Sequence, residues 1–156
     1  MADKKRCSIL VLGIGNILLR DEGVGVRVVE RLQQMDLPAS VEVVDGGTAG
    51  ADLLDVIAER QKVIVVDAVD ADAEPAAILR FTGDELARSD TPDISMHDLG
   101  IAETLAMTKM LGCAPKKVVF FGVKPADLSP GLELSKPIAD AMEKIIHMVL
   151  DEIVAN

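Results

Sequence analysis

"VLGIGNILLRDEGVGVRVVERL", residues 11–32, sets the reading of the whole chain. An apolar, β-rich run stops at Gly13-Ile14-Gly15-Asn16, and a helical pattern follows with Asp21 and Glu22 at its start. A glycine turn between strand and helix often cradles a phosphate on the free N–H groups of the helix. Two acids at that turn repel phosphate. The dinucleotide fingerprint G-x-G-x-x-G is also broken, because Leu18 stands at its third glycine and the next glycine after Gly15 is Gly23. Nucleotide binding is therefore disfavoured, and the loop needs another occupant.

Outward from this stretch the chain alternates strand and helix. Residues 7–14 read as a buried strand, and 22–35 as a helix with Val24, Val28, Val29, Leu32 and Met35 on one face. Asp36 to Pro38 ends that helix. Residues 41–45 form the next strand, followed by Gly46-Gly47, and 50–60 a short helix with Leu53, Leu54 and Ile57 inward. The run 62–67 is apolar on both faces and so central, with Asp67 at its end. Residues 77–81 are expected as an additional edge strand, and 84–95 as a surface loop. A helix over 98–111 with Gly112 at its cap, a strand over 117–123, a loop over 124–134 and a helix over 136–154 complete the pattern.

Such alternation gives the α/β class, a mostly parallel sheet with helices on both faces, in one domain spanning 1–156. In these sheets ligands bind beyond the carboxyl ends of the strands. Those ends carry Gly15-Asn16, Asp45-Gly46-Gly47 and Asp67, which are expected along one rim.

Composition narrows the function. A net charge of −10 excludes the basic footprint that nucleic acid requires and disfavours an anionic membrane surface. With no Trp or Tyr and three Phe, the core must be built from aliphatic residues and Met. Cys7 and Cys113 are far apart and in no CxxC pattern, which fits a reducing compartment and a cytoplasmic protein. The apolar run behind Arg6 is too short, and too interrupted by glycine, for a signal peptide or a membrane span. No P-loop and no G-x-S-x-G elbow is present.

His147 falls opposite the apolar face Ile138, Met142, Ile145, Val149 and Ile153 of its helix, so it is expected in solvent. His97 lies in Ser95-Met-His97-Asp-Leu-Gly100, where a loop enters a helix and a capping or packing role is the ordinary one. The acids have ordinary roles too. Glu22 gains from a helix dipole, Asp21 can act as an N-cap, and Asp45 before two glycines can form a turn. Asp67 is harder to explain away, because a charge at the end of an apolar strand is costly unless something satisfies it. Four acids on one rim, with His97 arriving from a later loop, point to a metal site of two carboxylates and one imidazole. Such a set has no thiolate and leaves coordination positions open, so its own affinity is modest and the metal is transient or brought by a partner.

Taken together, these segments resemble the nickel–iron hydrogenase maturation endopeptidases. The opening stretch is similar to that family's GxGNxLxxDEGxG signature. "VEVVDGGTAG" (41–50) resembles its DGGT segment, "VIVVDAV" (63–69) its third-strand aspartate, "MHDLG" (96–100) its HxxG segment and "PGLELS" (130–135) its late loop. The resemblance implies a three-layer α/β/α fold with a twisted, mostly parallel five-stranded sheet of the phosphorylase/hydrolase-like kind. It implies an endopeptidase that trims the C-terminus of the hydrogenase large-subunit precursor after nickel insertion.

The family's metal-contacting and catalytic residues map onto Glu22, Asp67 and His97, with Asn16, Asp21, Asp45, Gly46 and Gly47 expected along the substrate cleft. The opening loop then holds a cation, nickel carried by the substrate. Either the docked nickel or a free carboxylate activates water, with Asp21 or Asp45 as an assisting base. Alternatively, Glu22 and Asp67 share a water as in an aspartic protease. A competing reading is a nickel-dependent checkpoint chaperone that holds the large subunit without cutting it. A small-molecule hydrolase or phosphorylase needs an anion pocket where this rim offers acids. The simplest oligomeric state is a monomer.

Overall fold

The computed structural model describes residues 7–48, 53–87, 94–96 and 99–155. The elements run β1 (Ile9–Ile14), a 3-10 turn (Arg20–Gly23), α1 (Val24–Gln33), β2 (Val41–Gly47), α2 (Leu54–Ile57) and β3 (Lys62–Ala71). They continue with β4 (Ile78–Thr82), α3 (Gly83–Ala87), β5 (Ile94–Met96), α4 (Leu99–Met110), β6 (Lys117–Val123) and α5 (Lys136–Val154). The main sheet has the order β2-β1-β3-β6-β4, parallel except for the antiparallel edge strand β4. This is the expected five-stranded, mostly parallel α/β sheet. The short β5 pairs antiparallel with the far end of β3, off the main order.

Strand alternation assigns the two helical layers. Val11, Ile64, Val66, Val119 and Phe121 face α1 and α5. Leu10, Leu12, Val63, Val65 and Phe120 face α2 and α4. β3 is central, and Val63 to Val66 are buried on both sides. Phe81 and Phe120 stack across the β4–β6 pair at 5.1 Å between ring centroids.

Chain order and strand order diverge between β1 and β3. From β1 the chain crosses to β2 on one side, and β3 then starts on the other. β1 pairs with β3 only as far as Gly13 opposite Val66, whereas β3 and β6 stay paired through Asp67–Gly122 and Ala68–Val123. Asp67 is therefore the first β3 residue beyond β1, on a step in the sheet at the switch point.

Several expectations are corrected. β3 does not end at Asp67 but runs on to Ala71, because Val69 to Ala71 find a partner strand in β5. Residues 84–95 are not simply a loop. The Thr82 hydroxyl accepts the Glu85 N–H at 3.2 Å at the start of α3, and β5 begins at Ile94. Met35 is 43% exposed, because α1 ends at Gln33 and Met35 lies beyond it. Leu54 is only half-buried, since α2 is a single turn. The remaining residues of that helix's inward face, Leu53 and Ile57, are buried as read. His147 is exposed.

Candidate active site

The first crossover sets the site. Gly25 lies where α1 meets the sheet, and a Cβ there would stand 2.0 Å from the Val66 carbonyl oxygen. Gly13, across the same contact, would put a Cβ 2.3 Å from the Gly25 carbonyl oxygen. Only glycines let the helix backbone rest directly on β1 and β3. That contact carries the preceding 3-10 turn, and Glu22 with it, onto β3, the strand that continues from Val66 into Asp67. Glu22 is half-buried and Asp67 is 4% exposed.

The tips of β1 and β2 are joined as well. The Gly15 N–H donates to the Gly47 carbonyl at 2.9 Å. Gly47 takes a positive φ of 47°, and its N–H donates to Asp45 Oδ1 at 2.9 Å, so Asp45 is a turn former with an exposed side chain. Gly46 is buried against Leu12 and Ile14. Asn16 accepts the Leu18 N–H on its side-chain oxygen at 2.9 Å. The rim thus brings Asn16, Glu22, the Asp45–Gly47 turn and Asp67 to one end of the sheet. His97 lies outside the described residues. Among the described residues no three His, Cys, Asp or Glu side chains form a group able to hold a metal ion.

Asp21 corrects its expectation most sharply. It is fully buried and caps no end of its own turn. Its Oδ2 accepts the Ala126 N–H at 2.9 Å, the Asp127 N–H at 2.8 Å and the Ser135 hydroxyl at 2.7 Å, and its Oδ1 accepts the Ser135 N–H at 2.8 Å. A carboxylate so occupied is neither a cleft-lining group nor a free base. It fastens the loop before α5 to the 3-10 turn. Beside it, Asp127 is held below the ordinary carboxylate range by the hydrogen bond from the Ser129 hydroxyl, then by the Ser129 backbone N–H and by Arg20. The neighbours thus have divided work: Asp21 ties loops together, while no ion pair among the described residues engages Glu22.

The family model of the HycI hydrogenase maturation proteases matches residues 26–152. The hydrogenase 2 maturation protease of Escherichia coli K12 is 41% identical over 144 residues, 91% of this chain and 88% of that protein. The chain belongs to the hydrogenase maturation proteases. A putative hydrogenase maturation protease of Methanocaldococcus jannaschii is 35% identical over 158 residues, 96% of this chain and 98% of that one. Among solved structures, the hydrogenase-maturating endopeptidase HybD from Escherichia coli matches with a TM-score of 0.85 at 41% identity, covering 93% of this chain and 91% of its own. Membership makes the chain a peptide-bond hydrolase of hydrogenase maturation.

A cavity of about 560 Å³ in this maturation protease lies at the other end of the sheet, between α4 and the start of β6, lined by Leu105, Lys109, Lys116 and Val118. No rim residue lines it. No helix among the described residues is long and apolar enough to cross a membrane. The residue that sequence reading missed is Ser135, the partner of Asp21. Its only local signal is its place one residue before a Lys-Pro helix start.

Proposed function

We propose that this protease removes the C-terminal extension of the nickel–iron hydrogenase large-subunit precursor once nickel has been inserted. On this reading it recognises the nickel as part of its substrate. The observation that carries it is the seating of the Glu22 turn on β3 at the step where Asp67 outruns β1. Two acids of one rim, on elements that touch near the switch point of the sheet, support this reading. Glu22, Asp67 and His97 complete the coordination of a nickel ion already anchored by the precursor, which fixes the scissile bond at the rim. A carboxylate of the rim takes a proton from water, whose oxygen adds to the scissile carbonyl carbon. The C–N bond then breaks, and the proton passes to the leaving amine. Substrate-borne nickel fits a ligand set without thiolates. The reaction belongs in the cytoplasm, consistent with Cys7 and Cys113 forming no disulfide, and needs one copy of the chain.

The test is the intact mass of the precursor after mixing with this protein, with and without nickel loaded. Loss of a C-terminal peptide in the loaded sample alone, and its disappearance with Glu22→Gln, is the expected result. Unchanged mass in a stable complex would replace this reading with the checkpoint chaperone. A precursor loaded with another divalent metal separates the mechanisms, since a purely carboxylate-based cut tolerates any cation that preserves docking.

A further inference from the structure

The loop ahead of Glu22 and the loop ahead of α5 are laced together more closely than covering a core requires. The Gly131 N–H donates to the Leu18 carbonyl at 2.8 Å, the Arg20 N–H to the Gly131 carbonyl at 3.1 Å and the Asp21 N–H to the Asp127 carbonyl at 3.2 Å. Leu19 and Gly131 form an isolated parallel bridge. The four bonds to the Asp21 carboxylate close the set. Arg20 is held at a φ of +48°, in the left-handed region that non-glycine residues avoid. Gly131 leaves room for the Arg20 guanidinium, which a Cβ there would meet at 2.8 Å.

What this lacing displays is apolar. Leu18 is 60% and Leu132 61% exposed, and neither belongs to a core cluster. They flank the Leu19–Gly131 bridge, Leu18 one residue before it on one segment and Leu132 one residue after it on the other. Both are pinned through their backbones. Leu18 gives its N–H to Asn16 and accepts from Gly131, and the Leu132 carbonyl accepts from Arg27 Nη2 at 2.9 Å. Leu132 also forms the lip of an open groove of about 560 Å³ between α1 and α5, where Leu134 and Met142 add apolar surface. Exposed leucines on rigid backbone mark a preformed contact surface, because little ordering entropy remains to be lost on binding.

We propose that the Leu18–Leu132 platform is the docking surface for an extended apolar segment of the substrate polypeptide next to the scissile bond. This rests on the endopeptidase reading above. The occupant is argued from continuity with that site. Leu18 is four residues before Glu22, and the Glu22 N–H closes onto the Leu19 carbonyl at 3.1 Å. A peptide presented to Glu22 therefore passes the two leucines, and the groove behind Leu132 extends its path. The arginines of that groove are already paired, Arg27 with Glu30 and Arg31 with Glu143, so the platform selects apolar side chains rather than charge.

The test is the double variant Leu18→Asp, Leu132→Asp, with Leu18→Met, Leu132→Met as the conservative control. Both positions are exposed, so thermal unfolding should match that of the parent. With nickel-loaded precursor, the Asp pair should lower kcat/KM by at least about tenfold through KM, and the Met pair should restore it. A second readout does not depend on cutting: the Kd of labelled precursor for the Glu22→Gln protein, with and without the Asp pair. Weakening by the same factor supports the platform even if the parent cuts nothing, an outcome that would sink the endopeptidase reading alone. An unchanged Kd and kcat/KM in the Asp pair overturns the platform and leaves the endopeptidase reading standing.

Discussion

The carboxylate of Asp21 and the hydroxyl of Ser135, 114 residues apart in the chain, meet at 2.7 Å, and the Ser135 N–H reaches the other carboxylate oxygen at 2.8 Å. Ser135 is the N-cap residue of α5. The first crossover of the sheet and the last helix are thus fastened at one buried acid, and the rim that carries Glu22 is braced from both ends of the chain. Charge-assisted hydrogen bonds of this kind are stronger than neutral ones, and burial away from water leaves no substitute partner.

Asp21→Asn should therefore cost about 3 kcal/mol of stability, because the amide turns two of its own donors toward donors already in place. Ser135→Ala should cost about 1 kcal/mol, since the backbone N–H bond to Asp21 remains. Urea midpoints at neutral pH would decide this, and equal costs for the two variants would refute the assignment of Asp21 as the hub.

Gly25→Ala sets two effects against each other. Alanine favours an exposed helix by about 1 kcal/mol over glycine. Here the added methyl would stand 2.0 Å from the Val66 carbonyl oxygen, which is backbone and cannot rotate away. Overpacking of that kind costs about 3 kcal/mol, so the net effect is destabilising by about 2 kcal/mol. The helix must also lift from β3, taking the Glu22 turn away from that strand, so precursor cleavage should fall more than the folded fraction does. A variant as stable as the parent, measured by calorimetry, would show that the helix does not rest on the sheet at this point.

Much of this arrangement was legible in the residues, and the rest was hidden for one physical reason. Local patterns served well. The run 62–67 reads as the central strand, and the face of α5 from Ile138 to Ile153 is buried as periodicity demands. What failed depended on partners distant in sequence. Asp67 interrupts the apolar run and so marks a strand end in the sequence, although Val69 to Ala71 pair with a strand more than twenty residues later. Asp21 sits where an N-cap would sit, yet the donors of its four side-chain hydrogen bonds, on Ala126, Asp127 and Ser135, all lie between residues 126 and 135. One miss was local. Thr82-x-x-Glu85 is a helix-start signal straddling the start of the expected loop 84–95, and α3 begins there.

Lys62 gives a prediction in pH. Its Nζ donates to the Glu152 carbonyl at 2.7 Å and the Ala155 carbonyl at 2.6 Å, capping the end of α5, and lies 3.9 Å from Glu152 Oε1. Burial holds its pKa below the ordinary lysine value of 10.5, against the opposing pull of Glu152. The sign follows from proton counting. Below the folded pKa both states carry the proton and stability does not change. Between the folded pKa and 10.5 the unfolded chain holds more protons, so stability gained through Lys62 rises with pH. Lys62→Met removes that contribution. The difference in urea midpoint between the parent and Lys62→Met should therefore widen in the parent's favour from neutral pH toward 10.5, and a difference that narrows over the same range would mean the ammonium is stabilised rather than penalised at this site.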